Sequence, residues 1–322
     1  MAMKYIRRRL VHAALLLIAI SFLSFVLLQL APGDYFDAMR MNPQISGQTI
    51  NGLRSEYGLD RPLVVRYGHW MGSVLRGQLG FSIAYNSPVG ALLWVRARNT
   101  LLLTGTATAL AWLLAVSIGM WSAKNSGTWG DRSFGAATSA FLSIPDLLLF
   151  LLLLLVAVRT GWFPAGGMIS SNTGSMGLWI KSKDIGLHLL LPCLGLALTI
   201  LPALVRHIRS AMIDVLESPF IRAARGHGIS GARVLFRYAL PVAANPLISL
   251  LGFSVATMLS ASVLAEVILS WPGLGPLLLE AILARDLYVV IGVVMLSSVF
   301  LVAGNLLADL LLFANDPRIR VE

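Results

Sequence analysis

The chain has 322 residues, of which 57% are hydrophobic and 12% charged, and its mean hydropathy is +0.78. A soluble protein of this length needs a more charged surface, so soluble, disordered and disulfide-stapled classes are excluded. The net charge of +10 does not indicate nucleic-acid binding, because the basic residues flank apolar runs instead of lining one soluble face. The composition therefore predicts an all-α integral membrane protein.

Six apolar runs approach or exceed the roughly 20 residues that a membrane-crossing helix requires. They are Leu10–Leu30, Thr100–Ser122, Phe134–Val158, Leu187–Val205, Val242–Leu269 and Leu287–Phe313. The first run is too long for a signal-peptide core and lacks a small-x-small cleavage site, so we expect a retained anchor. Cys193 lies in the fourth run and is expected to be a buried thiol.

Basic residues predict the orientation of the spans, because cytoplasmic loops are enriched in Lys and Arg. With the N-terminus inside, the internal segments carry fourteen of these residues and the short external loops carry four. Both termini are therefore expected to be cytoplasmic.

The spans and loops divide the chain into three regions. Residues 1–30 form the cytoplasmic N-terminus and first span, residues 31–99 form an extracytoplasmic loop that we call the cap, and residues 100–322 form a core with the other five spans. Helical patterns occur in the cap around Thr49–Tyr57 and Arg61–Arg76. The cap either contacts a partner outside the membrane or covers the pore mouth, or it only braces the spans.

A basic cytoplasmic loop, residues 206–241, precedes the fifth span. Ser218-Pro219 predicts a helix start, because serine is a favoured N-cap and proline suits the first turn. Gly228 predicts the end of this helix, and Pro241 is expected to end a second one just before the fifth span. We call residues 218–241 the knob.

The first helix of the knob is predicted to be amphipathic. Phe220, Ile221 and Ala224 recur at helical spacing on one face, whereas Arg222 and Arg225 lie off that face. Such a helix suits docking into a groove on a partner subunit, or lying on anionic lipid. The sequence alone leaves both readings open.

Motifs for chemistry are missing. The sequence has no Gly-x-x-x-x-Gly-Lys-Ser/Thr loop, no His-Glu-x-x-His pair and no Gly-x-Ser-x-Gly elbow, and its five histidines are dispersed. We therefore predict no catalytic residue, no metal site and no cofactor bound by this chain. If the chain performs a process that requires energy, that energy must come from an ion gradient or from a partner.

Polar residues inside the apolar runs are candidates for a translocation path, because such groups are costly in a membrane unless they are used. We select Ser143, Pro145 and Asp146 in the third run, and Glu266 near the outer end of the fifth, where we expect it to be solvated. The alternative for Asp146 is a helix kink at Pro145. One deep carboxylate is weak support for a proton relay, so an ion-coupled carrier is disfavoured.

A resemblance becomes visible in the knob. Arg222-Ala223-Ala224, three residues, Gly228, nine residues and then Tyr238-x-Leu240-Pro241 resembles the coupling-loop signature of binding-protein-dependent ABC importer permeases. That signature has glutamate and isoleucine where this chain has Arg222 and Tyr238. Segments throughout the chain resemble the dipeptide/oligopeptide/nickel group: Met3–Leu10, Ala31–Asp34, Tyr57–Leu63, Gly80–Ser82, Pro88-Val89, Ser143–Pro145, Glu266 with Trp271–Gly275, Ala284–Asp286 and Asp316–Arg320.

The resemblance implies a type I ABC importer permease fold in the inner membrane of a prokaryote. It implies a non-enzymatic subunit that translocates peptides, with nickel or another metal chelate as an alternative solute. The implied partners are a second homologous permease, two ATP-binding cassette ATPases that use ATP and Mg, and an extracytoplasmic solute-binding protein. The residues that it assigns to ATPase coupling are Arg222, Ala223, Ala224, Arg225, Gly228, Leu240 and Pro241. A non-transporting membrane scaffold is the alternative from another class.

Overall fold

The computed structural model of the protein describes residues 2–30, 33, 35–36, 46–56, 58, 60–170 and 177–315. The sequence motifs at residues 31–34, 57–63 and 316–320 lie wholly or partly outside this part of the chain.

Helices make up most of the described residues. In chain order they are α1 (Ala2–Leu30), α2 (Gly47–Glu56), α3 (Leu63–Val74), α4 (Val89–Lys124), α5 (Trp129–Leu142), α6 (Asp146–Thr160), α7 (Leu178–Leu216), α8 (Pro219–Gly226), α9 (Gly231–Arg233), α10 (Leu240–Ile268), α11 (Leu274–Leu283) and α12 (Leu287–Asn315). A π-helical segment, Val234–Ala239, joins α9 to α10. Strands β1 (Phe81–Ser82) and β2 (Ser87–Pro88) pair antiparallel.

Five helical segments in the described part of the chain are long and apolar enough to cross a membrane. They are α1, α4, α7, the continuous helix from α9 through α10, and α12. Helices α5 and α6 together supply a sixth span if the pair is one crossing. All six predicted apolar runs thus coincide with these elements.

The third apolar run differs from the single helix that the sequence predicted. Its two halves, α5 and α6, are bent by 100° at a short break. The cause is Pro145, which has no N–H to donate and disfavours helical geometry at Ile144 before it. Pro145 itself is extended, with φ −60° and ψ 139°, and α6 starts at Asp146. We call residues 143–146 the hinge.

The chain folds into two compact units, and the first comprises residues 100–271 and 301–315. Helix α7 is its central element and packs against α5, α6 and α10. The shared core includes the fully buried Leu196, Ile208 and Met212 of α7. Cys193 is buried in the same core, as predicted.

The second knob helix does not end at Pro241, contrary to expectation. The chain stays helical from α9 through the π-helical segment into α10. A proline inside an α-helix clashes with the carbonyl four residues earlier, and a π-helical turn relieves this by widening the backbone spacing. The knob therefore continues without a break into the long helix α10.

The second unit comprises residues 3–99 and 272–300. It contains the described part of the cap, in which α2 and α3 confirm the two helical patterns predicted there. One core forms around Val89, Leu93 and Leu277, and another around Phe25 and Trp70. The indole N–H of Trp70 donates to the carbonyl oxygen of Leu79 at 3.2 Å, which ties α3 to the hairpin that follows.

Candidate functional site

The knob begins where the sequence predicts. Ser218 is the N-cap residue of α8, with φ −65° and ψ 152°, and Pro219 occupies the first turn. Proline fits there because its missing N–H would have no partner within the helix. The Ser218 hydroxyl donates back to the carbonyl oxygen of Val215 at 2.5 Å. This contact anchors the start of α8 to the end of α7.

Helix α8 buries one face and exposes the other. Ile221 and Ala224 are buried, and Ile221 belongs to the core that α7 also builds. Arg222, Ala223 and Arg225 are exposed. The prediction that Phe220 shares the buried face is wrong, since its side chain is 44% exposed. Within α8, the face turned outward is thus cationic with a small residue between its two arginines.

Gly228 ends α8 by adopting a left-handed backbone conformation, with φ +74°. The N–H of Gly228 donates to Arg225 O at 3.0 Å, and the N–H of Ile229 donates to Ala224 O at 3.3 Å. A Cβ added at Gly228 would meet nothing within 4 Å, so the requirement for glycine is conformational. The predicted helix stop is confirmed.

Leu240 and Pro241 lie at the far end of the knob, at the start of α10. Leu240 is half-buried and packs against the core, whereas Pro241 is exposed. Val234 and Ala239 between them and α9 are buried. The knob is thus fixed to the unit by apolar contacts from both of its helices.

An ion pair that sequence reasoning missed involves α7, about two turns before the knob begins. Arg209 of α7 donates two hydrogen bonds to Asp131 of α5, from Nε to Oδ1 and from Nη2 to Oδ2, each 2.7 Å long. The Ser122 hydroxyl donates to Oδ1 and the Gly127 N–H donates to Oδ2 at 2.9 Å. Asp131 is 4% exposed. Its carboxylate is therefore fully engaged by four donors from three segments.

The hinge carries three of the four path candidates. Ser143, Pro145 and Asp146 are all exposed in this chain, and Asp146 is the first residue of α6. The Ser143 hydroxyl donates to Ser139 O at 3.1 Å, within its own helix. An acidic residue in the first turn is favourable there because the helix N-terminus is electropositive.

Glu266, the fourth path candidate, lies elsewhere. It is 0% exposed on α10, where Ser262 and Ala265 are also buried. The expectation that it would be solvated near an interface is wrong, because protein atoms cover its side chain completely. The four candidates therefore do not share one accessible surface.

The cap is anchored on the first span. The Tyr67 hydroxyl lies 2.9 Å from Ser21 Oγ, and its ring meets that of Phe25 edge-on at 5.6 Å between centroids. Arg66 Nη1 donates to Gln29 Oε1 at 2.7 Å. The guanidinium of Arg66 also lies 5.7 Å from the centre of the Phe25 ring. Helix α3 is therefore held against α1 by both aromatic and polar contacts.

The hairpin of the cap is anchored on residues 280–288. Ser82 Oγ donates to Asp286 Oδ2 at 2.6 Å and the Ala84 N–H donates to the same oxygen at 3.2 Å. The Tyr85 hydroxyl donates to the carboxylate of Glu280. Burial, and then this bond to Glu280, raises the pKa of Tyr85 to about 12.

A cavity of about 310 Å³ opens in the same unit. Its lining includes the cationic Arg61 and Arg66, together with His69 and the aromatic Trp70 and Tyr288. Arg61 Nη1 lies 3.4 Å from His69 Nε2. This part of the cap therefore presents basic and aromatic groups side by side.

Comparison with known proteins identifies the family. Residues 115–321 match the model of the binding-protein-dependent transport system inner membrane component, and residues 2–90 match the model of its N-terminal region. The chain belongs to this family. The knob, the Asp131–Arg209 pair and the hinge of this transport component all lie within the 115–321 match, and most of the cap lies within the other.

Full-length relatives support the assignment. The transport component is 37% identical to the oligopeptide transport system permease protein AppB of Bacillus subtilis, over 98% of each chain. It is 34% identical to a putative peptide permease protein of Brucella ovis, over 99% of each chain. It is 32% identical to the oligopeptide transport system permease protein OppB of Mycobacterium bovis, again over 99% of each chain. The resemblance read from the sequence motifs is confirmed.

A solved structure supports the fold. The inward-facing MetNI methionine ABC transporter has a chain that aligns with a TM-score of 0.57 at 17% identity, covering 70% of this chain and 96% of that one. This likeness confirms the predicted type I importer permease fold for the aligned part.

Proposed function

We propose that the chain is the membrane-spanning permease subunit of an ATP-driven importer that translocates peptides. The observation that supports ATP-driven transport is the arrangement of the knob. Its apolar face is packed in the core, whereas its cationic face is exposed and can dock on a partner. The peptide substrate is supported by the names of the full-length relatives, which are peptide permeases. Nickel and other metal chelates are the alternative solutes.

The buried face of α8 distinguishes docking from lipid binding. A helix that lies on a membrane must insert its apolar face between lipid headgroups. In this chain that face, Ile221 and Ala224, is already packed against protein. The exposed Arg222, Ala223 and Arg225 suit the acidic or polar groove of a partner subunit. We therefore assign the knob to docking on an ATPase.

The energy for transport comes from partners in this proposal. Two ATP-binding cassette subunits hydrolyse ATP with Mg below the membrane, a second homologous permease completes the path, and an external binding protein delivers the solute. Both termini and the knob are then cytoplasmic, as the positive charges of the sequence indicate. The chain itself supplies no catalytic group and binds no cofactor.

The path is assigned to the hinge. Ser143, Pro145 and Asp146 are exposed at a sharp bend, where a small rotation of either helix changes their position. Glu266 is fully buried, so we assign it a supporting role behind the path and no contact with substrate. Alternating access then consists of rotations of α5 and α6 about the hinge.

The cap is assigned to contact with the external binding protein. Its contacts with α1 and with Glu280 and Asp286 use one set of side chains. The cavity is lined partly by side chains outside that set, Arg61 and His69 among them, and it shares Arg66 with the contact to α1. The cap can therefore brace the spans and recognise a partner at the same time.

Reconstitution tests the function. The complex of this chain with its permease partner, ATPases and binding protein is reconstituted in liposomes. Uptake of a labelled oligopeptide is measured with ATP on the side of the membrane that carries the ATPases. We expect ATP-dependent uptake that vanadate inhibits. Uptake of nickel chelates that peptides do not compete with would instead support the alternative solute. If neither solute is taken up in an ATP-dependent way, the result would favour a non-transporting membrane scaffold.

A further inference from the structure

We propose that Asp131 and Arg209 are positioning residues that couple the knob to the hinge, with α5 acting as a rigid strut between them. The inference rests on the proposed transport function. Neither residue belongs to the signature at residues 222–241 or to the other segments that carry the family resemblance. The two residues do not touch substrate or nucleotide in this proposal but transmit movement.

Apart from the Asp131 cluster and the ring contact of Phe134 with Trp121, few side chains hold α5 in place. Of the fourteen residues of this helix, Asp131 alone is buried. Helix α5 packs along α7, yet its apolar Phe134, Phe141 and Leu142 remain exposed. A helix that buries almost no apolar surface is easily displaced unless a specific contact fixes it. The Asp131 cluster supplies that contact.

The contact between Arg209 and Asp131 is bidentate. A bidentate pair fixes both the distance and the relative orientation of its two side chains. Both oxygens of Asp131 are bound twice, by Arg209 on one side and by Ser122 and Gly127 on the other. The Asp131 side chain is 4% exposed and the Arg209 side chain is 35% exposed, so the carboxylate end of the network is the buried one. A buried carboxylate whose acceptor oxygens are all bound is held rigidly. The start of α5 therefore moves with α7.

Helix α7 connects Arg209 to the knob. From Arg209 the helix continues to Leu216, about 10 Å at the rise of an α-helix. The knob helix α8 follows at Pro219. One turn of α4 also lies against this point, since a Cβ on Gly119 would be 2.8 Å from Ile208 Cγ2 and 3.3 Å from Arg209 N. The segment of α7 between Arg209 and the knob is therefore short and rigid.

Helix α5 connects Asp131 to the hinge. From Asp131 to Leu142 the helix spans about 16 Å. It ends directly at the hinge, where the chain bends by 100° into α6. A displacement of the knob is then carried through Arg209 and Asp131 along α5 to Ser143 and Asp146. No other buried side chain of α5 can carry it.

The test compares uptake with hydrolysis in the full reconstituted complex. Asp131→Asn and Arg209→Gln each remove the charge-assisted pair, and Arg132→Gln and Arg206→Gln remove exposed neighbouring charges as matched controls. We expect peptide taken up per ATP hydrolysed to fall at least about tenfold in both pair variants, as the loss of such a pair implies. The controls keep the wild-type ratio.

A double variant separates coupling from stability. If the two residues act as one unit, Asp131→Asn with Arg209→Gln lowers the ratio no further than either single change. A purely structural role would lower the amount of folded complex but leave the ratio of the remaining complex unchanged, and that result would overturn the inference. Absence of ATP-dependent uptake in the wild type and both controls would instead refute the underlying transport function.

Spin labels report the strut directly. Labels are attached at Ala140→Cys on α5 and His227→Cys on the knob, both exposed sites, with the buried Cys193 replaced by alanine. In the complex we expect one narrow distance that is the same in nucleotide-free and vanadate-trapped states. With Asp131→Asn the distribution should broaden and differ between states. A wild-type distance that changes with nucleotide would contradict a rigid strut.

Discussion

The carboxylate of Asp286 accepts a 2.6 Å hydrogen bond from the hydroxyl of Ser82, which lies 204 residues away in the chain. The same carboxylate accepts from the Ala84 N–H at 3.2 Å and, through Oδ1, from the Val289 N–H at 3.4 Å. Asp286 is buried. One side chain thus fixes the cap hairpin to the start of α12.

Asp286→Ala should therefore loosen the cap. Removing a buried charged acceptor leaves its donors without partners and costs on the order of 3 kcal/mol. We expect faster proteolysis within the cap at neutral pH, with the spans still inserted. Asp60→Ala is the control, because its bond to Ser55 is exposed and should matter little. Equal proteolysis of the two variants would contradict the anchoring role.

Gly228→Ala should weaken coupling through the backbone. Alanine at φ +74° costs about 1 kcal/mol or more, although space is available for its methyl group. We expect lower peptide uptake and weaker ATPase binding in detergent pull-downs, with normal membrane insertion. Gly228→Asp should uncouple transport more completely.

Gly226→Ala is the comparison for this change. It adds the same methyl group two residues earlier, within α8 and without a positive φ. Its effect on uptake should be distinctly smaller. Indistinguishable effects of the two alanines would show that the left-handed turn is not what uptake requires.

Reversing the charge of the knob should weaken its contact with the ATPase. Arg222→Glu combined with Arg225→Glu changes the exposed face of α8 by four charge units while leaving Ile221 and Ala224 in place. We expect at least about tenfold weaker association, with a loss of its salt dependence. Arg206→Glu, outside the knob, should have little effect.

Liposome binding distinguishes the lipid alternative for the same variant. If the knob lay on anionic lipid, a peptide of residues 218–241 carrying both glutamates would lose liposome binding while the complex kept its ATPases. We expect instead that the complex with both glutamates loses its ATPases, because the apolar face of α8 is enclosed by protein and the charged face makes the contact.

Tyr85 should give the cap a pH dependence at alkaline pH. The pKa of Tyr85 is raised from 10.0 to about 12, first by burial and then by its bond to Glu280. Because the folded state favours the neutral phenol, this contribution to stability is full below pH 10 and is lost as pH rises through about 12. Protease resistance of the cap should fall over that range, and Tyr85→Phe should abolish this component.

Ultraviolet titration gives an independent readout for Tyr85. The tyrosinate absorbance of the wild type should contain a component near pH 12 that Tyr85→Phe lacks. A difference between the two titrations that is centred near pH 10 would show that the phenol ionises at its ordinary pKa.

Local signals in the sequence predicted much of this architecture. Apolar length located every candidate span, and Ser218-Pro219 and Gly228 located both ends of α8, because caps and breakers act within a few residues. Pro145 indicated a kink, but the 100° bend depends on how α5 and α6 pack against α7.

Long-range contacts could not be predicted in this way. Asp131 and Arg209 are 78 residues apart, and nothing in either local pattern identifies the other as its partner. The one available signal was Thr128, three residues before Asp131, which caps α5 by accepting from the Asp131 N–H. Glu266 was misjudged for a related reason, because its distance from the span end says nothing about which helices cover it.

Asp146 provides the sharpest test of the hinge as part of the path. The residue is exposed at the N-terminus of α6, directly after Pro145. Asp146→Ala should reduce peptide uptake about tenfold while ATPase activity continues, because it removes the charge at the bend without altering the buried face of α6 that contains Phe150. Leu147→Ala, at the next exposed position, is the matched control and should transport normally. If Asp146→Ala transports at the wild-type rate and Leu147→Ala does not, the path runs along the apolar side of α6 and the hinge carboxylate only caps the helix.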